Sequence, residues 1–171
     1  MRDGGRMRPE YREIVARVEG RLGAYRKLFR SLSRKELKAV GRRFREAEEE
    51  AYAEIDCLEC GNCCITTGPE LFERDIARLA EALETKPADI VQRYTRRDED
   101  GDCVFATLPC PFLGEDLYCA VYRQRPKACR EYPHIGETGT PRQLTLALKN
   151  VTICPIAARA VEEVAEWHGG V

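Results

Sequence analysis

The stretch Cys57-Leu58-Glu59-Cys60-Gly61-Asn62-Cys63-Cys64 decides how the rest of the chain is read. Two residues between cysteines let both thiolates reach one metal from a tight turn. Gly61 and Asn62 are residue types that accept the positive-φ backbone such a turn needs. Zinc favours four ligands in a tetrahedron, commonly from CxxC pairs. Iron–sulfur clusters use a CxxCxxC run with a remote cysteine followed by proline. Cys57, Cys60 and Cys63 supply the run, while Thr67 stands where a bacterial ferredoxin would place its next cysteine. Cys110-Pro111 and Cys154-Pro155 are the remote Cys-Pro candidates. On this run an iron–sulfur cluster is favoured over zinc or iron ions.

The neighbours Cys63 and Cys64 add a constraint. Adjacent side chains of an extended backbone point in opposite directions. The pair therefore serves two neighbouring centres or leaves one thiol free. Cys110, Cys119, Cys129 and Cys154 bring the candidate ligands to eight, enough for two four-ligand sites or one cluster plus a reactive set. Cys103 brings the chain's cysteines to nine and is left as a spare. His134 lies five residues after Cys129 and is an alternative ligand. Arg125 and Arg130 could offset thiolate charge or form ordinary salt bridges. Tyr122 and Tyr132 could donate to sulfur or pack against the cluster. Asp75 and Asp89 read as helix-surface charges.

Nine cysteines among 171 residues would suit a disulfide framework only in an oxidising compartment. The start of the chain, MRDGGRMRPEYREIV, carries no apolar segment of a secretory signal, and no apolar run reaches the ~20 residues that span a bilayer. The expected location is the cytoplasm, where such cysteines serve as metal ligands or redox thiols. The net charge of −1 gives no overall pull toward nucleic acid or membrane. The charge is nonetheless uneven. Residues 1–50 hold 15 Lys or Arg against 9 Asp or Glu; the remainder holds 13 against 20. A basic stretch therefore precedes an acidic one, and the basic one is a candidate surface for a protein partner.

Apolar residues recur at helical spacing over 9–55, with Pro9 in a first turn and a capping box at Ser33-Arg34-Lys35-Glu36. This predicts a hairpin of two helices joined at 32–33, or one bent helix. A helix is expected over about 71–84. A shorter one follows, capped by Thr85, with Pro87 in its first turn. Arg96–Asp102 reads as a turn, Leu144–Ile153 as strand-like, and Pro155 opens a last helix to about Trp167. The expected fold is mainly α: a small helical domain over 56–171, with irregular cysteine-rich metal-binding loops, and a helical N-terminal arm over 1–55. No GxGxxG, P-loop, HExxH or Ser-His-Asp pattern is present.

The residues resemble a known family. CLECGNCC at 57–64 is similar to the signature of the YkgJ-type cysteine-cluster proteins, the CxxCxxCC zinc- or iron-chelating domains. A second block strengthens the likeness: Cys110-Pro-Phe-Leu, Cys119-Ala-Val-Tyr122, then Arg125-Pro126-Lys-Ala-Cys129-Arg130-Glu-Tyr132-Pro133. Cys154 before proline resembles the family's last cysteine. The resemblance implies a metal-bound cluster on Cys57, Cys60, Cys63, Cys64, Cys110, Cys119, Cys129 and Cys154, with no settled reaction. Related domains in flagellin lysine N-methylases make methyl transfer an alternative, beside electron transfer or another redox or metal-dependent activity. The chain shows no glycine loop for S-adenosylmethionine.

Overall fold

The computed structural model describes residues 7–136 and 139–169. The charged first six residues lie outside that range. In chain order the elements are α1 (Pro9–Gly20), α2 (Leu22–Arg30), α3 (Arg34–Glu54), α4 (Asn62–Thr66), α5 (Glu73–Ala82), α6 (Pro87–Tyr94), β1 (Thr95–Arg97), β2 (Cys103–Phe105), α7 (Lys127–Glu131), α8 (Pro141–Asn150) and α9 (Pro155–His168). Short 3-10 turns stand at Cys57–Glu59 and Tyr122–Gln124. The protein is mainly helical, and the described residues hold only one two-stranded sheet.

The chain divides into two compact units, residues 1–60 with 133–171, and residues 61–132. In the first unit α9 packs against α1, α3 and α8, and α2 packs against α8. Ala157, Ala158, Ala160, Val161, Val164 and Ala165 of α9 are fully buried. A helix apolar on so many sides has to be enclosed, and small residues let its neighbours approach closely. Those neighbours supply Val18 of α1 and Val40, Phe44 and Ala47 of α3, all fully buried. Glu162 is the charged exception on α9, at 4% exposure. Arg17 of α1 meets it with two 2.7 Å hydrogen bonds.

The capping box is formed. Ser33 Oγ accepts from the Glu36 amide at 3.4 Å, and Glu36 accepts from the Ser33 amide at 2.7 Å. Before it stand two helices rather than one, broken at Arg21 between Gly20 and Gly23. Glycine near a helix end weakens propagation, so apolar periodicity alone overruns the break. The strand-like reading of Leu144–Ile153 is wrong, since α8 occupies most of that segment. Leu144, Leu146 and Leu148 alternate like a strand, but Leu144, Ala147, Leu148 and Val151 are buried with helical spacing. Thr140 caps this helix by accepting from the Gln143 amide.

The second unit holds a smaller core of Leu71, Ile76, Leu79, Ala80, Ile90, Phe105, Phe112 and Val121. Cys103, Cys110 and Cys119 pack against it. β1 and β2 pair antiparallel, Thr95 with Phe105 and Arg97 with Cys103. Their turn forms as the charged Arg96–Asp102 segment suggests. Asp98 accepts from the amides of Asp100 and Asp102, and Gly101 takes φ +86°. The cap of α6 lies one residue later than expected. Lys86 occupies it, while the Thr85 hydroxyl donates to Asp89 at 2.9 Å.

Candidate metal centre

The boundary between the units falls inside the signature, between Cys60 and Gly61. The second unit carries Cys63, Cys64, Cys110, Cys119 and Cys129, and the backbone explains how they meet. Gly61 caps α4 with φ +59°, and an added Cβ there would stand 3.3 Å from Leu117 carbons. Both the left-handed backbone and the close packing call for glycine. Asn62, the other positive-φ candidate, is helical instead. Cys63 and Cys64 therefore sit on a helix, not on extended chain. Their side chains diverge by about 100°, and the two thiols are hydrogen-bonded to each other.

The Cys110 amide donates to the Cys64 carbonyl at 2.7 Å, which fastens the Cys-Pro loop to α4. Cys119 returns to that loop through a bridge with Leu113. Cys129 arrives on α7. The first turn of α7 is held by Asp75, whose Oδ1 accepts from the Lys127 amide at 2.9 Å while Oδ2 accepts from the Phe72 amide at 3.2 Å. Asp75 is 2% exposed, so the surface-charge reading is corrected. The signal for it was present in the sequence: an acid in the first turn of a helix can cap it. Asp89 is half-buried and likewise works as a capping acceptor.

The electrostatics of these thiols tie them together. Burial pushes Cys110 up to about 11, against a hydrogen bond from the Phe112 amide and helped by the charges of Cys64 and Cys119. Burial pushes Cys129 up to about 12, reinforced by Cys64, Cys110 and Cys119. Cys119 rises for the same first reason, with Cys64 adding to it. Cys64 moves the other way, to about 7, because the Cys63 hydrogen bond outweighs its burial. Arg125 lowers both Cys119 and Cys129. Its guanidinium stacks on Tyr122 at 3.9 Å and donates to the Tyr122 carbonyl at 2.7 Å. That stacking fixes a positive charge beside the thiols, which is the charge-offsetting role rather than a salt bridge. Arg130 instead donates to the Arg125 carbonyl at 2.7 Å.

The first unit carries Cys57, Cys60 and Cys154. Cys57 and Cys60 flank a 3-10 turn in which the Cys60 amide donates to the Cys57 carbonyl. Asp56 caps the turn, Tyr11 of α1 donates to Glu59, and Arg8 pairs with Glu59. Cys154 is the N-cap of α9 and is 8% exposed. Burial pushes its thiol up to about 12 against a hydrogen bond from the Ala157 amide, and the charges of Cys60 and Cys57 raise it further. His134 falls in this unit, with φ +59°. Cys103 lies on β2, where its carbonyl accepts from the Leu71 amide at 2.7 Å.

Among the described residues, no group of three or more His, Cys, Asp and Glu side chains stands converged as a formed metal site. The donor set nevertheless fits a soft or borderline cation. Buried thiols raise one another only while no cation is among them. A divalent ion would reverse each of those interactions and favour the thiolates.

A mainly helical chain carrying this set of cysteines belongs with cysteine-cluster metal-binding domains. It belongs to the CxxCxxCC family, described as a putative zinc- or iron-chelating domain, whose model matches residues 56–155. No curated protein and no solved structure matches the chain. No helix among the described residues is long and apolar enough to cross a membrane.

Proposed function

We propose that the protein binds metal through two sets of thiolates, and that the metal is held as iron–sulfur in preference to zinc. One set is Cys64, Cys110, Cys119 and Cys129, with Cys63 beside it. The other is Cys57, Cys60 and Cys154. The observation that supports this reading is the mutual effect of four half-buried thiols of the second unit, Cys64, Cys110, Cys119 and Cys129, the last three of them raised by their neighbours' charge. Four thiols match the ligand number of either a tetrahedral zinc site or an iron–sulfur cluster. The preference for iron–sulfur rests on the two Cys-Pro pairs, Cys110-Pro111 in one set and Cys154-Pro155 in the other.

Thiolate ligation supplies folding energy and, with iron, electron transfer. Arg125 lowers the cost of gathering several thiolates, and Asp75 positions the helix that carries Cys129. Anaerobic purification with metal and acid-labile sulfide analysis tests the reading. Iron and sulfide with a visible charge-transfer spectrum are expected. Stoichiometric zinc without sulfide overturns the iron–sulfur assignment, and the absence of bound metal overturns the whole. Cys129→Ser and Cys154→Ser are each expected to remove only part of the metal.

A further inference from the structure

Away from the thiols, the first unit contains a cavity of about 380 Å³ between α2 and α8. Its floor is apolar: Phe29, Leu144 and Leu148 line it, and each is at most 6% exposed. Its rim is cationic, from Arg26, Arg30 and Lys149, all exposed. Among the described residues these three form no ion pair, and no Asp or Glu lines the cavity.

The surrounding sequence explains the sign of the rim. Residues 20–35 contain six Lys or Arg and no acid, and no Asp or Glu occurs between Gly139 and Val161. Helix ends account for part of this, since Arg30 and Lys149 occupy last turns where cations offset the helix dipole. That preference gives no reason for Arg26, nor for a hollow between the two helices. Uncompensated cations around an apolar floor carry unfavourable self-repulsion, which an anionic group would relieve.

We infer that this cavity is a binding site for a small anionic amphiphile, a molecule with an apolar body and a carboxylate or similar head. The apolar body displaces water from Phe29, Leu144 and Leu148. The head remains at the rim, within reach of flexible Arg and Lys side chains. The volume decides between occupants. It equals about a dozen waters at ~30 Å³ each and falls at the low end of small-ligand pockets, roughly 300–1,000 Å³. A medium-chain carboxylate matches this space and the cationic rim.

Octanoate is the probe, with 1-octanol as its uncharged counterpart, titrated into the full-length metal-loaded protein by calorimetry and by backbone-amide NMR. Octanoate is expected to shift the amides of α2 and α8 and to bind at least tenfold more tightly than 1-octanol. The double variant R30E/K149E leaves the thiols untouched, so metal content should hold while octanoate affinity falls at least tenfold, and R26Q, which lies outside the last turn of α2, should weaken octanoate binding with helicity unchanged. Equal binding of octanoate and octanol overturns the inference without needing any variant, as does the absence of octanoate shifts in α2 and α8. Vesicles of phosphatidylglycerol supply the other source of an anionic head. Binding to them that octanoate cannot displace, and that R30E/K149E abolishes, would assign the site to a membrane surface and overturn the small ligand. Neither the thiols nor their metal enters these readouts.

Discussion

At the scale of single residues, Asp75 shows how a side chain outside the thiol set controls it. Cys57, Cys60, Cys63 and Cys64 stood out in the sequence because thiol spacing is a local property of the chain. For Asp75 the sequence signalled only the cap of its own helix; its hold on α7 depends on a partner 52 residues later, the Lys127 amide. Removing its carboxylate leaves the Phe72 and Lys127 amides without their acceptor in a part-buried setting. Asp75→Ala should therefore cost about 2–3 kcal/mol of stability, read as a shift of the urea midpoint. It should also lower retained metal, because α7 carries Cys129. Asp75→Asn keeps one acceptor oxygen and should lose less on both measures. Equal metal content in wild type and Asp75→Ala would show that α7 is held in place without it. Arg125 was visible as a charge near the motif, but its stacking on Tyr122 needed the 3-10 turn at Tyr122–Gln124, which no sequence period announces.

Elements were legible where a strong cap or a long period marked them. The capping box of α3 and the Pro155 start of α9 follow directly from local chemistry. α8 was misread because two periods compete in Leu144–Ile153, and only packing against α2 and α9 chooses between them. The Thr140-Pro141 start favours the helix. Thr140→Ala removes the side-chain acceptor of its first turn and should cost about 1 kcal/mol, measured by thermal or urea unfolding. No loss would mean that packing alone fixes α8. The pairing of α1 with α9 gives a pH-dependent counterpart. Arg17 holds the Glu162 carboxyl below its ordinary range, chiefly through their hydrogen bonds, against burial. A folded value below the unfolded one adds stability above the ordinary carboxylate range, about 4.3. That stability is lost as pH falls through the lowered value. Arg17 is half-exposed, so its pair with buried Glu162 is worth about 1 kcal/mol. Arg17→Gln should lower the unfolding free energy from urea titration at pH 7 by about 1 kcal/mol, and the gap to wild type should close below about pH 4.3. A gap independent of pH would place the effect in packing rather than charge.

For the molecule as a whole, the two units differ in what holds them. The first has a long central helix, α9, enclosed by α1, α3 and α8, and its order rests on regular hydrogen bonds and apolar burial. The second is built from short helices, a sheet of two three-residue strands and loops around a core of eight side chains. A core of that size supplies at most about 3–5 kcal/mol, and small natural domains add disulfides or metal. None of the described cysteines forms a disulfide, so on the proposed reading the second unit depends on its metal for the remainder. The cysteine-rich segment that starts at Cys103 should therefore lose order without metal. α8 and the start of α9 are regular helices with caps, so the loss should stop near Tyr132. Hydrogen exchange on protein stripped with a chelator, against the metal-loaded protein, measures this. Amides from Cys110 to Tyr132 should exchange on the order of 100-fold faster once the linkage between binding and folding is removed. Those of Ala157–Ala165 should change by less than about tenfold, because helical burial protects them without metal. A uniform rise across both segments would mean that the metal stabilises the chain globally. No rise in either would remove the metal from the account of how the second unit folds.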